Sequence, residues 1–232
     1  MTKLFISALV VAILTAPALL FAQTAVKKKT ETKAVATEQV VQIITDFGTM
    51  KIKLYNQTPQ HRDNFLKLAS SGYFNDLLFH RVIKGFMIQG GDPDSKGAPA
   101  GKPLGNGGPD YTIPAEFVPT LFHKKGALAA ARQGDGVNPL KASSGSQFYI
   151  VQGKTYTDEE LTMMEKRYNT IWTPEERTAY KTVGGTPMLD KSYTVFGEVI
   201  EGMEVIDKIA AVKTAQGDRP LTDVKMTVKV IK

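Results

Sequence analysis

The sequence predicts an all-β domain, closed as a barrel or stacked as a sandwich, that carries a helical insertion. Three observations predict it. Short apolar runs with period-two alternation recur from Val40 to Ile231. Gly- and Pro-rich stretches separate several of them, the longest running from Gly90 to Pro109. Helical patterns are few and do not alternate with the strands, which argues against a parallel βαβ architecture.

The chain opens with a segment that is not part of this domain. Met1 to Lys3 is short and positive, and Leu4 to Ala22 is almost wholly apolar, with Pro17 late in the run and a small residue before Gln23. Charged start, apolar centre and small-residue end are the layout of a secretory signal, expected over 1–22 and cut after Ala22. A run of this length could also stay as a membrane anchor. Residues 23–38 are polar, Lys-rich and without periodicity, and read as a flexible tether. The folded domain is then expected over 39–232.

Within it, Val41, Ile43 and Thr45 alternate with their neighbours, Asp46-Phe47-Gly48 supplies a turn, and Met50, Ile52 and Leu54 alternate again. This predicts an antiparallel hairpin. Thr58-Pro59 reads as an N-cap followed by proline at the first helical position, Phe65, Leu68 and Ala69 form one apolar stripe, and Gly72 closes the helix. Further strand-like runs are Leu78–Ile83, Phe86–Gln89, Ala127–Ala131, Gln147–Val151, Tyr193–Val199 and Val224–Ile231. Residues 157–183 break the pattern. Thr157-x-x-Glu160 resembles a capping box, and Thr173-Pro174-Glu175-Glu176 opens a second helix. Met203 to Ala211 is amphipathic and joins the last two strands.

Composition removes several chemistries. The chain has 232 residues and no Cys, so thiol nucleophiles, disulfides and Cys-ligated zinc are excluded. The net charge is +6, but five of the 29 basic and one of the 23 acidic residues fall in 1–34, leaving +2 for the rest. The basic character belongs to the leader and tether, and no nucleic-acid partner is expected. Gly97-Ala-Pro-Ala-Gly101-Lys102-Pro103 is one residue short of a P-loop and has Pro where the Mg-binding hydroxyl belongs. Asp92-Pro-Asp94-Ser-Lys96 starts like a calcium loop, but Lys96 replaces an oxygen ligand and Pro103 takes the place of the bidentate Glu. His61, His80 and His123 are scattered, and Ser144-Gly145-Ser146 is no nucleophile elbow. What remains is binding, or catalysis by holding a substrate.

One constellation does carry a signal. In Phe79-His80-Arg81-Val-Ile-Lys-Gly85-Phe86-Met87-Ile-Gln89, two adjacent strands would set Arg81 on one face with Gln89 and with Phe86 or Met87. Gly145-Ser-Gln147-Phe148 adds a second amide beside aromatics. With Val195-Phe196-Gly197-Glu198-Val199 as a further motif in the same order, the chain resembles the cyclophilins, the peptidyl-prolyl cis-trans isomerases, from about Val40 to the C-terminus apart from 153–186. The resemblance implies an eight-stranded closed antiparallel β-barrel with a helix capping each end, here Pro59–Ser70 and Met203–Ala211. It implies Arg81 as the catalytic residue and a proline pocket of Phe86, Met87, Phe148 and Leu189. Gln89 and Gln147 match the amides that hold the substrate backbone. Ala131 matches the strand that pairs with the peptide. Arg132 stands where many members have Asn, Met188 where many eukaryotic members have Trp, and Tyr193 where they have His; the Met puts strong binding of cyclosporin-type inhibitors in doubt. Arg132 and Tyr193 complete the expected substrate-binding set. No metal and no cofactor are implied. The expected partners are proline-containing peptides and unfolded or partly folded proteins. The expected form is a monomer, periplasmic or secreted, without a membrane span once the signal is cut. The insertion 153–186 reads either as a solvated cover beside the barrel or as a border of the active-site groove.

Overall fold

The computed structural model describes residues 37–231. The expected signal and all but Thr37 and Glu38 of the tether lie outside the described residues. The predicted hairpin is β1 (Gln39–Thr45) and β2 (Gly48–Leu54), in register from Gln39 opposite Leu54 to Thr45 opposite Gly48. It is followed by α1 (Pro59–Ser70), β3 (Leu77–Leu78), β4 (Arg81–Ile83), β5 (Met87–Gly90), β6 (Thr112–Ile113), β7 (Ala127–Ala130), β8 (Ser143–Ser144) and β9 (Phe148–Val151). The chain then forms α2 (Asp158–Tyr168), α3 (Pro174–Thr182), β10 (Val195–Glu201), α4 (Met203–Ala210) and β11 (Lys225–Ile231). Among the described residues, no helix is long and apolar enough to cross a membrane.

The main sheet corrects the expected barrel. It has nine strands in the order β3-β11-β1-β2-β10-β7-β9-β5-β4, curled into a half-barrel and not closed as eight. The cause lies in the run Leu78–Ile83, which the alternation reads as one strand. Leu78 pairs with Lys225 and Phe79 N–H donates to Val224 O, whereas Arg81 pairs with Gln89. The run changes partners at His80, so its two halves become the opposite edges of the sheet. A second pairing, β6 with β8, covers only Thr112–Ile113 and Ser143–Ser144 and is too short to leave a periodic signal.

Period-two alternation gives the sheet two apolar faces. Val82, Ile88, Leu128, Ala130, Phe148 and Ile150 face the main core, where Phe65 and Leu68 of α1 and Val205, Ile206 and Ile209 of α4 join them. Met87, Ala127, Ala129, Tyr149, Val151 and Val195 form the opposite face. The helices α2 and α3 build a third, separate cluster from Tyr156, Leu161, Trp172 and Tyr180. Both helices open where the sequence predicts, with the expected capping box of Thr157 and Glu160 and a second one of Thr173 and Glu176.

The cap of α1 differs from expectation. Thr58 occupies the N-cap position but its hydroxyl caps no helical N–H. The carboxylate of Glu116 does so from across the fold, accepting from Gln60 N and His61 N at 3.1 and 3.0 Å. A carboxylate there also complements the helix dipole. It accepts from His61 Nδ1 at 2.7 Å as well, while His61 Nε2 lies 2.9 Å from Ser143 Oγ. Burial nevertheless holds His61 below the ordinary imidazole value, outweighing the carboxylate, and burial lowers His80 in the same sense. Both therefore bind protons more readily when the chain is unfolded. Their stabilising effect is complete above the unfolded value near 6.5 and is lost as the pH falls below it. Unfolding free energies from urea titrations should drop between pH 7 and pH 5, at a limiting slope of about 1.4 kcal/mol per pH unit for each histidine. His61→Gln should flatten that dependence; an unchanged slope would contradict the assignment.

Candidate active site

The site lies on the second face of the sheet, where four short strands bring distant residues into one row. Arg81 is opposite Gln89, Gln89 is opposite Tyr149, and Tyr149 is opposite Ala129. Met87 lies two residues from Gln89 on the same face, opposite Val151. Phe86 sits in the turn between β4 and β5. Gly85, with φ at +75°, makes that turn, a backbone region that side chains rarely adopt. The turn is tied down on both sides: Gly85 N–H donates to Gln152 Oε1 at 2.6 Å, and Phe86 O accepts from Gln152 N and Gly153 N.

These side chains surround a cavity of about 170 Å³ lined by Arg81, Phe86, Met87, Gln89, Ala131, Arg132, Tyr149, Leu189 and Tyr193. That is several times the roughly 30 Å³ share of one water. Its wall mixes aromatic and aliphatic side chains with polar ones, Arg81 and Gln89 on the β4–β5 side and Arg132 beside Tyr193. Leu189 ends a short 3₁₀ turn, Pro187–Leu189, that leads out of the insertion. Tyr193 and Tyr149 meet edge to face at 5.9 Å. Arg132 stacks over Tyr193 with its guanidinium carbon 4.4 Å from the ring centroid, and it donates to Ser192 O and to Asp135.

A hydrogen-bonded chain runs along the β4–β5 side. Arg81 Nη1 donates to Gln89 Oε1 at 3.4 Å, Gln89 Nε2 to Gln147 Oε1 at 3.0 Å, and Gln147 Nε2 to the carbonyls of Gly105 and Gly107. Those carbonyls belong to the Gly-rich loop, which the buried carboxylate of Asp92 pins by accepting from Asp94 N and Gly105 N. A side chain at Gly107 would collide with Asp92, its Cβ falling 2.1 Å from Oδ1, so only glycine lets the loop approach this closely. Arg81 is also held, at 3.4 Å, by Asp218, a residue that carries no motif in the sequence. Both contacts are long, and the Arg81 side chain remains 43% exposed. The guanidinium is oriented without being consumed.

Two of the expected substrate-binding residues do not line the cavity: Gln147, which meets it only through Gln89, and Phe148. Phe148 does not reach the cavity. It points into the main core, 1% exposed, edge-on to Phe65, Phe74 and Phe79. Tyr149, its neighbour on the opposite face, lines the cavity instead. Successive residues of a strand alternate faces, so a one-place error exchanges core for site. Ala131 lines the cavity, but its N–H donates to Gln147 O and its carbonyl accepts from Ser144 N. The main chain left open beside it is that of Arg132.

A family model for the cyclophilin type peptidyl-prolyl cis-trans isomerases matches residues 40–230. The chain belongs to that family. A Staphylococcus aureus (strain USA300) protein that carries the name of a peptidyl-prolyl cis-trans isomerase is 38% identical over 181 residues, 78% of this chain and 85% of the relative. A similarly named protein of Staphylococcus haemolyticus is 37% identical over 181 residues, covering 78% of this chain and 84% of its own. Among solved structures, a Cryptosporidium parvum cyclophilin type isomerase superposes with a TM-score of 0.60 at 27% identity, covering 84% of this chain and 98% of its own. The same Cryptosporidium protein, crystallised in the presence of the dipeptide Ala-Pro, gives 0.60 at 26% identity. This chain is thus a peptidyl-prolyl cis-trans isomerase with a mostly β, cyclophilin-like fold.

In this isomerase the two phenylalanines should separate cleanly. Phe148→Ala leaves a void among three packed rings and should cost about 3–5 kcal/mol of stability. Phe86→Ala, in a partly exposed turn, should cost less stability and chiefly weaken the capture of proline peptides. Chemical denaturation and peptide titration of both variants check this; a Phe148→Ala protein of parental stability would contradict the placement.

Proposed function

We propose that this isomerase acts on X-Pro bonds of exported proteins, and that Arg81 lowers the rotation barrier without covalent chemistry. The observation that carries the reading is a partly exposed, loosely paired guanidinium at the edge of a cavity of about 170 Å³ walled by Phe86, Met87, Tyr149, Leu189 and Tyr193. The peptide C–N bond owes its barrier of about 18–20 kcal/mol to resonance. X-Pro bonds populate cis appreciably and exchange over roughly tens to hundreds of seconds. In the twisted transition state the resonance is lost and the prolyl nitrogen gains a lone pair. A donor directed at that lone pair binds the transition state better than either planar form, which is what lowers the barrier. Arg81 offers several N–H donors and keeps its charge at any physiological pH.

The other residues hold the two ends of the bond. Phe86, Met87, Tyr149, Leu189 and Tyr193 bury the proline ring and fix one side. Gln89, ordered by Gln147, and the main chain of Arg132 hold the preceding segment while it turns. No bond is made and no proton leaves, so the scheme needs neither nucleophile nor metal. The 1–22 leader-like segment supports export, and slow X-Pro steps are a common limit on folding.

Arg81→Ala should lose on the order of 10²–10³ in kcat/KM on an X-Pro peptide while remaining folded, by analogy with loss of one preorganised donor. A folded variant with parental activity would refute the role of Arg81. N-terminal sequencing of the exported protein should begin at Gln23; a chain retaining Met1 would point to an anchor.

A further inference from the structure

The insertion is tied to the cavity by one buried carboxylate. Asp190 directly follows Leu189, and its side chain is 5% exposed. Oδ1 accepts from His123 N at 2.9 Å and lies 2.8 Å from His123 Nδ1. Oδ2 accepts from Trp172 Nε1 at 2.8 Å and from Tyr180 OH at 2.5 Å. Trp172 lies between α2 and α3, and Tyr180 lies on α3, so the second oxygen gathers the insertion. The first oxygen reaches His123, in the segment that leads into β7. On the other side of the ring, His123 Nε2 lies 3.0 Å from Tyr149 OH, so the imidazole bridges the carboxylate to the phenol. Burial raises the Tyr149 phenol well above its ordinary value, so it stays protonated. The His123 ring also stacks on the Tyr149 ring at an interplanar angle of 13°.

We propose that Asp190 is a positioning residue through which the insertion 153–186 sets the wall of the proline cavity, with Leu189 carried on its own backbone and Tyr149 held through His123. The proposal rests on the reading that this cavity takes the proline ring. Main-chain contacts run beside the same joint: Thr186 N–H donates to His123 O and Lys125 N–H donates to Gly184 O. A carboxylate that satisfies four donors from three separate segments makes their positions interdependent, and a ring displaced by a fraction of an ångström is misaligned with Arg81.

Trp172 is the only tryptophan of the chain, so its fluorescence reads the joint directly. The test compares Asp190→Asn and Tyr180→Phe with the parent, using an Ala-Ala-Pro-Phe peptide as probe and circular dichroism to establish folding. Both variants should lose about tenfold in kcat/KM, mostly in kcat, because alignment with Arg81 matters only in the twisted state. Saturating peptide should alter Trp172 emission in the parent and much less in Tyr180→Phe. Met163→Ala, on the exposed side of α2, should match the parent. Should Asp190→Asn fail to fold, Tyr180→Phe decides alone. Folded variants within twofold of the parent, or a Trp172 signal indifferent to saturating peptide, would overturn the proposal. Phe86→Ala run in parallel separates the two claims: if it too leaves peptide binding unchanged, the cavity reading itself has failed.

Discussion

The register of β4, β5, β9 and β7 is the constraint from which the rest of the site follows. These strands have three or four residues each, yet their pairing puts Arg81, Gln89, Tyr149 and Ala129 in one row across the sheet. The alternate residues Val82, Ile88, Phe148 and Ile150 are buried in the main core with the apolar faces of α1 and α4. Because the side-chain period is two, any slip would exchange the two sets and place a guanidinium and an amide in a hydrocarbon core. The core therefore enforces the geometry of the site, and the cost of misregister falls on burial.

The second requirement is electrostatic. A tight, bidentate carboxylate would have fixed Arg81 but quenched its charge. Here it is steadied by one carboxylate and one amide at 3.4 Å each, and the amide belongs to a chain that ends on the carbonyls of Gly105 and Gly107. Orientation comes from one long ion pair and one amide dipole, and both leave donors available to a nitrogen that becomes basic only when twisted. Preorganised dipoles of this kind need not rearrange as the bond turns.

Much of this was legible in the sequence, and the gaps have physical causes. The hairpin β1–β2, both capping boxes of the insertion and the amphipathic α4 rest on local patterns, and local patterns are what a sequence displays. The half-barrel was less legible, because the break at His80 depends on which distant strand each half meets. The resemblance assigns Phe148 to the pocket, but an aromatic next to Gln147 fits either face. Only the register assigns that role to Tyr149. Glu116, Asp218 and Asp190 carry no motif at all. Each is a carboxylate whose partners lie far along the chain, so its function exists only in the folded state. The insertion reads either as cover or as groove border from its sequence, and its attachment through Asp190 is visible only in three dimensions.

The central claim is that Arg81 acts on the transition state and not on substrate capture. Exchange spectroscopy on an X-Pro peptide, with the full chain and its Arg81→Ala variant, separates the two directly. The account predicts that the variant still binds, shown by peptide shift changes near saturation, while cis–trans exchange cross-peaks fall to the uncatalysed level. Exchange that persists at the parental rate in a variant that binds peptide would contradict it.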